Sequence, residues 1–248
     1  MKNTSAIVKI LSIDIGGSHI KATILNNKGE LQKAYEKVVT PTPANPENVI
    51  ASIKKLVSAF PDYDHVSVGF PGYVREGVIK TAPNLGTEDW ADVDFAERLT
   101  KELGKPTKVV NDADMQGLGV VSGKGFEMVL TLGTGFGTAL LMNGHLLPHL
   151  EVAHHPVSKK GVTYDDYIGE KALEKEGKKK WNERMEKVFK VLKTVFNYDT
   201  LYIGGGNADK LNFQLEDNMK LVTNEDGIKG GSRLWTVEHD TKTANPSA

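Results

Sequence analysis

Three glycine turns carry much of the chemistry open to this sequence. Gly16-Gly17-Ser18 follows the hydrophobic run Ile7–Ile15, and Gly133-Thr134-Gly135, with Gly137 close behind, follows Met128–Leu132. A turn without Cβ atoms lets backbone N–H groups close on phosphate oxygens as an anion-binding nest. Neither turn has the Lys-Ser/Thr that ends a Walker A loop, and neither is a GxGxxG opening a helix, so a nicotinamide-type site fits poorly. Gly204-Gly205-Gly206 ends a third run, Tyr198–Ile203. One Gly-Gly turn is usually only a hairpin; three of this kind favour a nucleotide or polyphosphate ligand.

Carboxylates stand beside these turns. Asp14 ends the first strand, where it either orients a metal-bound water or caps the glycine turn. Asp112 follows Asn111 at the end of the run Lys108–Val110 and just before a helical pattern. That position suits a helix N-cap. It equally suits a general base at the carboxyl end of a sheet, where ligands of α/β folds bind. Asp114 reads as a first-turn helix carboxylate. Between His145 and His155 stand four histidines and Glu151. Metal binding is the sharp reading of that cluster, but Pro148 and a hairpin deny it a single helical face. Glu151 and His154 instead match sugar hydroxyls, which need both donors and acceptors. Lys159 to Lys193 holds ten Lys and Arg184 against seven acids, densest at Lys178-Lys179-Lys180. This is either a solvated helical face or a polyanion-binding surface.

The elements that position these residues alternate. Strands are expected at Ile7–Ile15, His19–Leu25 and Leu31–Val39, then a proline-rich loop over Thr40–Pro46. Val49, Ile50, Ile53, Leu56, Val57 and Phe60 have helical spacing within Glu47–Phe60. Strands near Val66–Phe70 and Val74–Ile79, a helix near Val93–Leu103, a strand at Lys108–Val110 and a helix around Ala113–Val121 follow. In the second half come Met128–Leu132, a Thr138–Met142/His145–Leu147 hairpin closed by Asn143-Gly144, a mostly helical Tyr164–Phe196 and the strand Tyr198–Ile203. Such alternation argues an α/β fold with buried strands. The order strand, glycine turn, strand, Asn/Gly turn, strand occurs twice, about 115 residues apart. Two similar lobes that each turn glycines towards a shared cleft would explain it, as would a chance pairing of two ordinary hairpins.

The 248 residues bound one large domain or two small ones. Lys and Arg number 31 against 32 Asp and Glu, so a generally basic nucleic-acid binder is excluded. No cysteine is present, which removes disulfides, Cys-ligated metal clusters and a Cys nucleophile. The first residues have neither signal-peptide nor membrane-span character, and a cytoplasmic location is expected.

Taken together, these segments have a known pattern. Asp14-Ile15-Gly16-Gly17-Ser18-His19-Ile20-Lys21 resembles the phosphate motif of the ROK family of sugar kinases. Asn111-Asp112-Ala113-Asp114 resembles that family's catalytic segment, Leu130–Gly137 its second phosphate motif, and Glu151-Val152-Ala153-His154 its sugar-binding Glu-x-Gly-His. The likeness runs from about Ile10 to Arg233. Within the family, Thr81–Gly86, the short hairpin before Glu151 and the Lys-rich helix are most similar to the polyphosphate-using glucokinases. Ala153 replaces the family's glycine, and the family's Cys-rich zinc motif is absent.

This resemblance implies a two-lobed actin-like ATPase (ribonuclease H-like) fold of the hexokinase/ROK type. The lobes would span 1–112 and 113–238, ahead of a frayed tail at 239–248. It implies a kinase that moves the terminal phosphoryl group of polyphosphate or ATP to the 6-hydroxyl of glucose, with Asp112 as general base. Asn84, Asn111, Glu151 and His154 would hold the hexose, and Asp165 or Glu170 would stand at its anomeric end. Gly16, Gly17, Ser18, Lys21, Thr134 and Gly135 would cradle the donor phosphates, bordered by Gly204 and Gly205. Mg²⁺ would be held through those phosphates, with no direct protein ligand and with Asp14 near its water shell. A homodimer is expected, with no nucleic-acid or membrane partner. The rivals are a kinase for another hexose, a non-catalytic sugar sensor of the same family, and a nucleotide-binding protein of similar fold. A sensor of the repressor kind would carry a helix-turn-helix ahead of the first strand, and neither it nor a nucleotide binder accounts for Asp112, Glu151 and His154 together.

Overall fold

The computed structural model describes residues 8–223 and 227–235; the polar tail at 239–248 lies outside them. In chain order come β1 (Lys9–Ile15), β2 (His19–Asn26), β3 (Glu36–Val39), α1 (Pro46–Val57), β4 (His65–Phe70), β5 (Val74–Arg75) and β6 (Val78–Ile79). Next are α2 (Thr87–Trp90), β7 (Val93–Asp94), α3 (Phe95–Leu103), β8 (Thr107–Asn111) and α4 (Asp112–Val120). Then follow β9 (Phe126–Leu132), β10 (Phe136–Met142), β11 (His145–Leu146), α5 (Tyr164–Ile168) and α6 (Glu170–Phe196). The last are β12 (Thr200–Gly204), β13 (Met219–Leu221) and α7 (Gly230–Arg233). The chain divides into two compact units, Met1–Gly119 with Ile228–Ala248, and Val120–Gly227. Among the described residues no helix is long and apolar enough to cross a membrane.

The first unit is built on a five-stranded sheet in the order β3-β2-β1-β4-β8. β1 pairs antiparallel with β2 and parallel with β4, and β4 pairs parallel with β8. Parallel neighbours require a crossover, supplied by α1 and α3. α1 buries most of the apolar stripe that its spacing predicts, Val49, Ile50, Ile53, Leu56 and Val57, but ends at Val57, so Phe60 falls outside it. It starts one residue early: Asn45 Oδ1 accepts from Asn48 N at 3.0 Å, and Pro46, expected in the loop, is the first helical residue. Proline fits there because its missing N–H would have had no partner. Trp90 is fully buried between Phe70 and Phe95, with ring centroids at 4.7 and 5.0 Å. Its indole N–H donates to Ala44 O at 2.8 Å. Each such side chain contributes roughly 1.5–3 kcal/mol by leaving water.

The sheet of the second unit repeats the order and every direction, as β11-β10-β9-β12-β13. The internal similarity in the sequence is therefore a duplicated sheet. Asn143 and Gly144 both take positive φ, 52° and 82°, as the turn between β10 and β11 requires. α6 packs Trp181, Met185, Val188, Phe189 and Leu192 into this unit's core.

Of the other elements, three depart most from their sequence reading. The third strand starts only at Glu36; Leu31 makes a lone bridge to Leu25 and residues 32–35 leave the sheet. The Val74–Ile79 strand is a hairpin folded at Glu76-Gly77, both at positive φ. The helix expected from Val93 starts at Phe95, because Asp94 caps it by accepting from Glu97 N at 2.9 Å.

Candidate active site

In the first unit, the predicted residues gather at the carboxyl ends of β1, β4 and β8. The glycine turn after β1 closes through Gly16 N donating to His19 O at 2.9 Å. Thr40, after β3, braces it by donating from Oγ1 to Gly16 O at 2.6 Å and from N to Ser18 O at 3.0 Å. Gly17 and Ser18 are exposed, so their backbone faces solvent. A Cβ on Gly17 would lie 3.8 Å from Asn84 Cβ, which places Asn84, expected to bind sugar, beside the first glycine turn. Asp14 faces Lys21 across the strand pair at 3.9 Å. Burial pushes the Asp14 carboxyl up, and the Lys21 ammonium offsets part of that.

Asp14 also pairs with Gly69 on β4. A Cβ at Gly69 would come within 3.3 Å of Asp112 Cα, so this glycine lets the start of α4 lie close against the sheet. Asn111, not Asp112, does the capping. Its Oδ1 accepts from Ala113 N at 2.8 Å and Asp114 N at 3.3 Å, and its Nδ2 donates to Gly72 O at 3.0 Å. Asn111 is buried and fixes the strand–helix corner from which the partly exposed Asp112 projects. The N-cap reading of Asp112 therefore falls away. The deeper Asp114 is buried in the same first turn.

The second unit groups the remaining residues. Leu150 O accepts from Thr138 Oγ1 at 3.0 Å, which ties the segment before Glu151 to β10. Val152–His154 makes a 3-10 turn. Its backbone is right-handed, so Ala153 serves where the family pattern has glycine. Glu151 lies 3.4 Å from His149 Nε2 and 3.9 Å from His154 Nε2. The buried His149 imidazole is the main reason the Glu151 carboxyl is held below its ordinary value. Sequence reasoning missed His149 in this role. The signal was its place two residues before Glu151, inside a cluster weighed mainly as a metal site. Among the described residues no group of three or more His, Asp or Glu could hold a metal ion.

Asp165, on α5, accepts from Phe136 N at 2.7 Å and lies against Gly135. Burial pushes its carboxyl up, the Phe136 N–H lowers it, and His154 and Glu151 act on it with opposite signs. Structure thus brings Glu151, His154, Asp165 and the second glycine turn into one neighbourhood. The alternative, Glu170, is the first residue of α6 and donates its N–H to Thr134 O at 3.4 Å.

The third glycine turn packs on the second. Gly205 sits at φ +89°, and a Cβ there would overlap Leu132 O and come within 2.5 Å of Leu132 N. Asn207 completes the joint, donating from N to Leu132 O at 2.9 Å and from Nδ2 to Gly133 O at 3.2 Å. Gly205→Ala is expected to destabilise the protein by about 2 kcal/mol through strained φ and overlap. Denaturant unfolding checks it; an unchanged midpoint would show that the turn yields without cost.

The Lys-rich stretch lies on α6, which is kinked at Gly177 (φ 79°, ψ 159°). Glu176, just before the kink, pairs with Lys180 and with Arg184, the latter at 3.0 Å. Lys178 and Lys179 are exposed.

The ROK family model matches residues 10–190. The chain belongs to the ROK family. Among its ROK relatives, the polyphosphate glucokinase of Mycobacterium leprae is 32% identical over 91% of this chain and 74% of its own length. That of Mycobacterium tuberculosis H37Rv is 32% identical over 89% of this chain and 88% of its own length. The inorganic polyphosphate/ATP-glucomannokinase of Arthrobacter sp. strain KM superposes with a TM-score of 0.81 at 31% identity, covering 94% of this chain and all of that one. The fold is the actin-like ATPase one of ROK sugar kinases, and the duplicated sheet is its core.

Proposed function

We propose that this chain is a polyphosphate- or ATP-dependent glucokinase. The observation that carries the reading is near-full-length similarity to polyphosphate glucokinases in a chain that keeps Asp112 at the head of α4. In the proposed reaction, the glucose 6-oxygen forms a bond to the terminal phosphorus of the donor. The bond from that phosphorus to the bridging oxygen breaks, and its electron pair leaves with the shortened donor. Asp112 accepts the hydroxyl proton as the 6-oxygen attacks. Positioning and charge stabilisation supply most of the rate in such transfers.

Asn84, Glu151 and His154 hold hexose hydroxyls, and Asp165 stands towards the anomeric end. Glu151, kept ionised by His149, offers two acceptors; His154 offers a donor. Asn111 contributes by fixing the corner that presents Asp112. Gly17, Ser18, Thr134 and Gly135 supply backbone N–H groups to the donor phosphates, Gly16 shapes the first turn through its own bond to His19 O, Lys21 adds positive charge, and Gly204 and Gly205 border the donor. The oxygen donors near the first turn, the Asp14 carboxylate and the Ser18 hydroxyl, suit a hard dication reached through phosphate and water. Mg²⁺ bound there would neutralise phosphate charge.

Formation of glucose 6-phosphate from polyphosphate and from ATP, with mannose as a parallel acceptor, tests the reading. No turnover of glucose with either donor would overturn it, and turnover of mannose alone would favour the kinase for another hexose. Replacing Lys178, Lys179 and Lys180 together by Ala is expected to raise the KM for polyphosphate severalfold with little change for ATP, because neutralised phosphate contacts scale with the length of the polyanion. Equal losses with both donors would make this stretch a solvated helical face.

A further inference from the structure

We infer that the C-terminal return segment, Ile228–Trp235, is a positioning element for Asp112. The inference rests on the reading of Asp112 as the base. Far along the chain from the first sheet, this segment nevertheless packs as part of the first unit. A Cβ on Gly230 would overlap Met115 O, with Gly119 N at 2.7 Å and Met115 C at 3.0 Å. α7 therefore lies against the backbone of α4 at a distance that only glycine allows. Gly69 does the same from the sheet, where a Cβ would meet Met115 Cε at 2.8 Å and Asp112 Cα at 3.3 Å. Gly69 meets the first turn of α4, whose first residue is Asp112, and Gly230 meets the turn that follows, from Met115 to Gly119.

The segment is anchored by polar groups of the first sheet. Ser12 on β1 and Ser67 on β4 are fully buried between apolar neighbours. Ser12 Oγ donates to Ile228 O at 3.1 Å, and Ser67 Oγ donates to Gly231 O at 2.6 Å. Trp235 Nε1 donates to Ser67 Oγ at 2.9 Å. Its ring stacks on His65 at 4.2 Å, with Lys108 Nζ over it at 4.6 Å, and Lys108 also donates to Leu234 O at 2.8 Å. Buried hydroxyls are costly without partners, so both serines specify where the segment docks. A second close approach sets the register: a Cβ on Gly231 would come within 3.0 Å of Ser12 Cβ and 3.2 Å of Ser67 Cβ. Met115 lies about one helical turn from Asp112 on α4, so a shift forced at Met115 is passed along the helix to Asp112.

A displacement of about 1 Å at a reacting group costs on the order of a hundredfold in rate. Gly230→Ala is therefore expected to lower kcat on that scale while the glucose KM stays within a few-fold. Trp235→Phe, which keeps the ring but loses the bond to Ser67, is expected to show the same split with a smaller loss. Both are measured alone and in the Asp112→Asn background, at high enzyme concentration, with circular dichroism to establish folding. If the segment acts through Asp112, neither variant lowers the residual Asp112→Asn rate further. Wild-type kcat in the folded variants, a loss confined to KM, or an equal loss in both backgrounds would overturn the inference. Should Gly230→Ala not fold, Trp235→Phe decides alone by the same comparison. Wild-type turnover in Asp112→Asn itself would instead overturn the reading of Asp112 as base.

Discussion

Asp112→Asn is expected to lower kcat about a thousandfold and to leave glucose binding within a few-fold of the wild type. A positioned base contributes roughly 10²–10⁴ to a proton transfer, and Asn keeps the shape of Asp without its proton affinity. The corner survives the change, because the capping oxygen belongs to Asn111, whose bonds to Ala113 N, Asp114 N and Gly72 O do not involve the Asp112 carboxylate. Asp112 Oδ1 does accept from Ala113 N at 2.8 Å, a contact the Asn amide oxygen reproduces. The loss should therefore fall on the chemical step and not on folding. Single-turnover rates with calorimetric glucose binding separate the two. Retention of the wild-type rate would remove Asp112 from the mechanism, and loss of glucose binding would make it a binding residue.

Glu127→Gln is expected to destabilise the protein by about 3 kcal/mol without touching the proposed chemistry. Glu127 lies on β9 and is fully buried. Its Oε1 accepts from Ser122 N at 2.7 Å, Ser122 Oγ at 2.8 Å and Tyr202 Oη at 3.0 Å. Its Oε2 accepts from Gly123 N at 2.8 Å and Lys124 N at 3.2 Å. Burial alone would raise this carboxyl, yet the donors from Ser122, Tyr202 and Gly123 together hold it below its ordinary value. Glutamine keeps one acceptor and turns an N–H₂ towards donors, which leaves buried N–H groups unsatisfied at about 1–3 kcal/mol each. The sign of the pH dependence follows from the lowered value. The contribution is complete above the ordinary carboxylate range and is lost as pH falls through the depressed folded value. Unfolding free energies of wild type and variant should thus differ most near neutral pH and converge as pH falls below the ordinary carboxylate range. A constant difference across that range would show that charge is not what the five donors recognise.

Local signals in the sequence carry the fold well. Asn143-Gly144 announces its turn, and the Val49–Val57 stripe announces α1. The two glycine hairpins reveal the duplicated sheet because each hairpin is a short, self-contained unit. What resists reading from sequence is set by partners distant along the chain or by competition between adjacent residues. Asn111 and Asp112 are both good N-caps, and only Gly72 O, which holds the Asn111 amide, decides between them. His149 shares its residue type with His145 and His155, and only its place two residues before Glu151 sets it apart in the sequence; its burial there is a product of the fold. Pro46 belongs by composition to the loop and by geometry to α1. Ser12 and Ser67 read as polar interruptions of apolar strands, since Ile228 and Gly231, which answer them, lie more than 150 residues further on.

That last arrangement bears on how the protein is made. A chain leaving the ribosome exposes all five strands of the first sheet once Asn111 has emerged, yet Ser12 and Ser67 then face no carbonyl. The whole of Val120–Gly227 must be synthesised before Ile228 arrives, an interval of roughly 5–20 s at ordinary elongation rates. The first unit therefore waits, incompletely sealed, while the second has time to fold on its own. Stalled or prematurely terminated chains would hold an open patch over β1 and β4, a surface for chaperones and proteases that the finished molecule no longer presents.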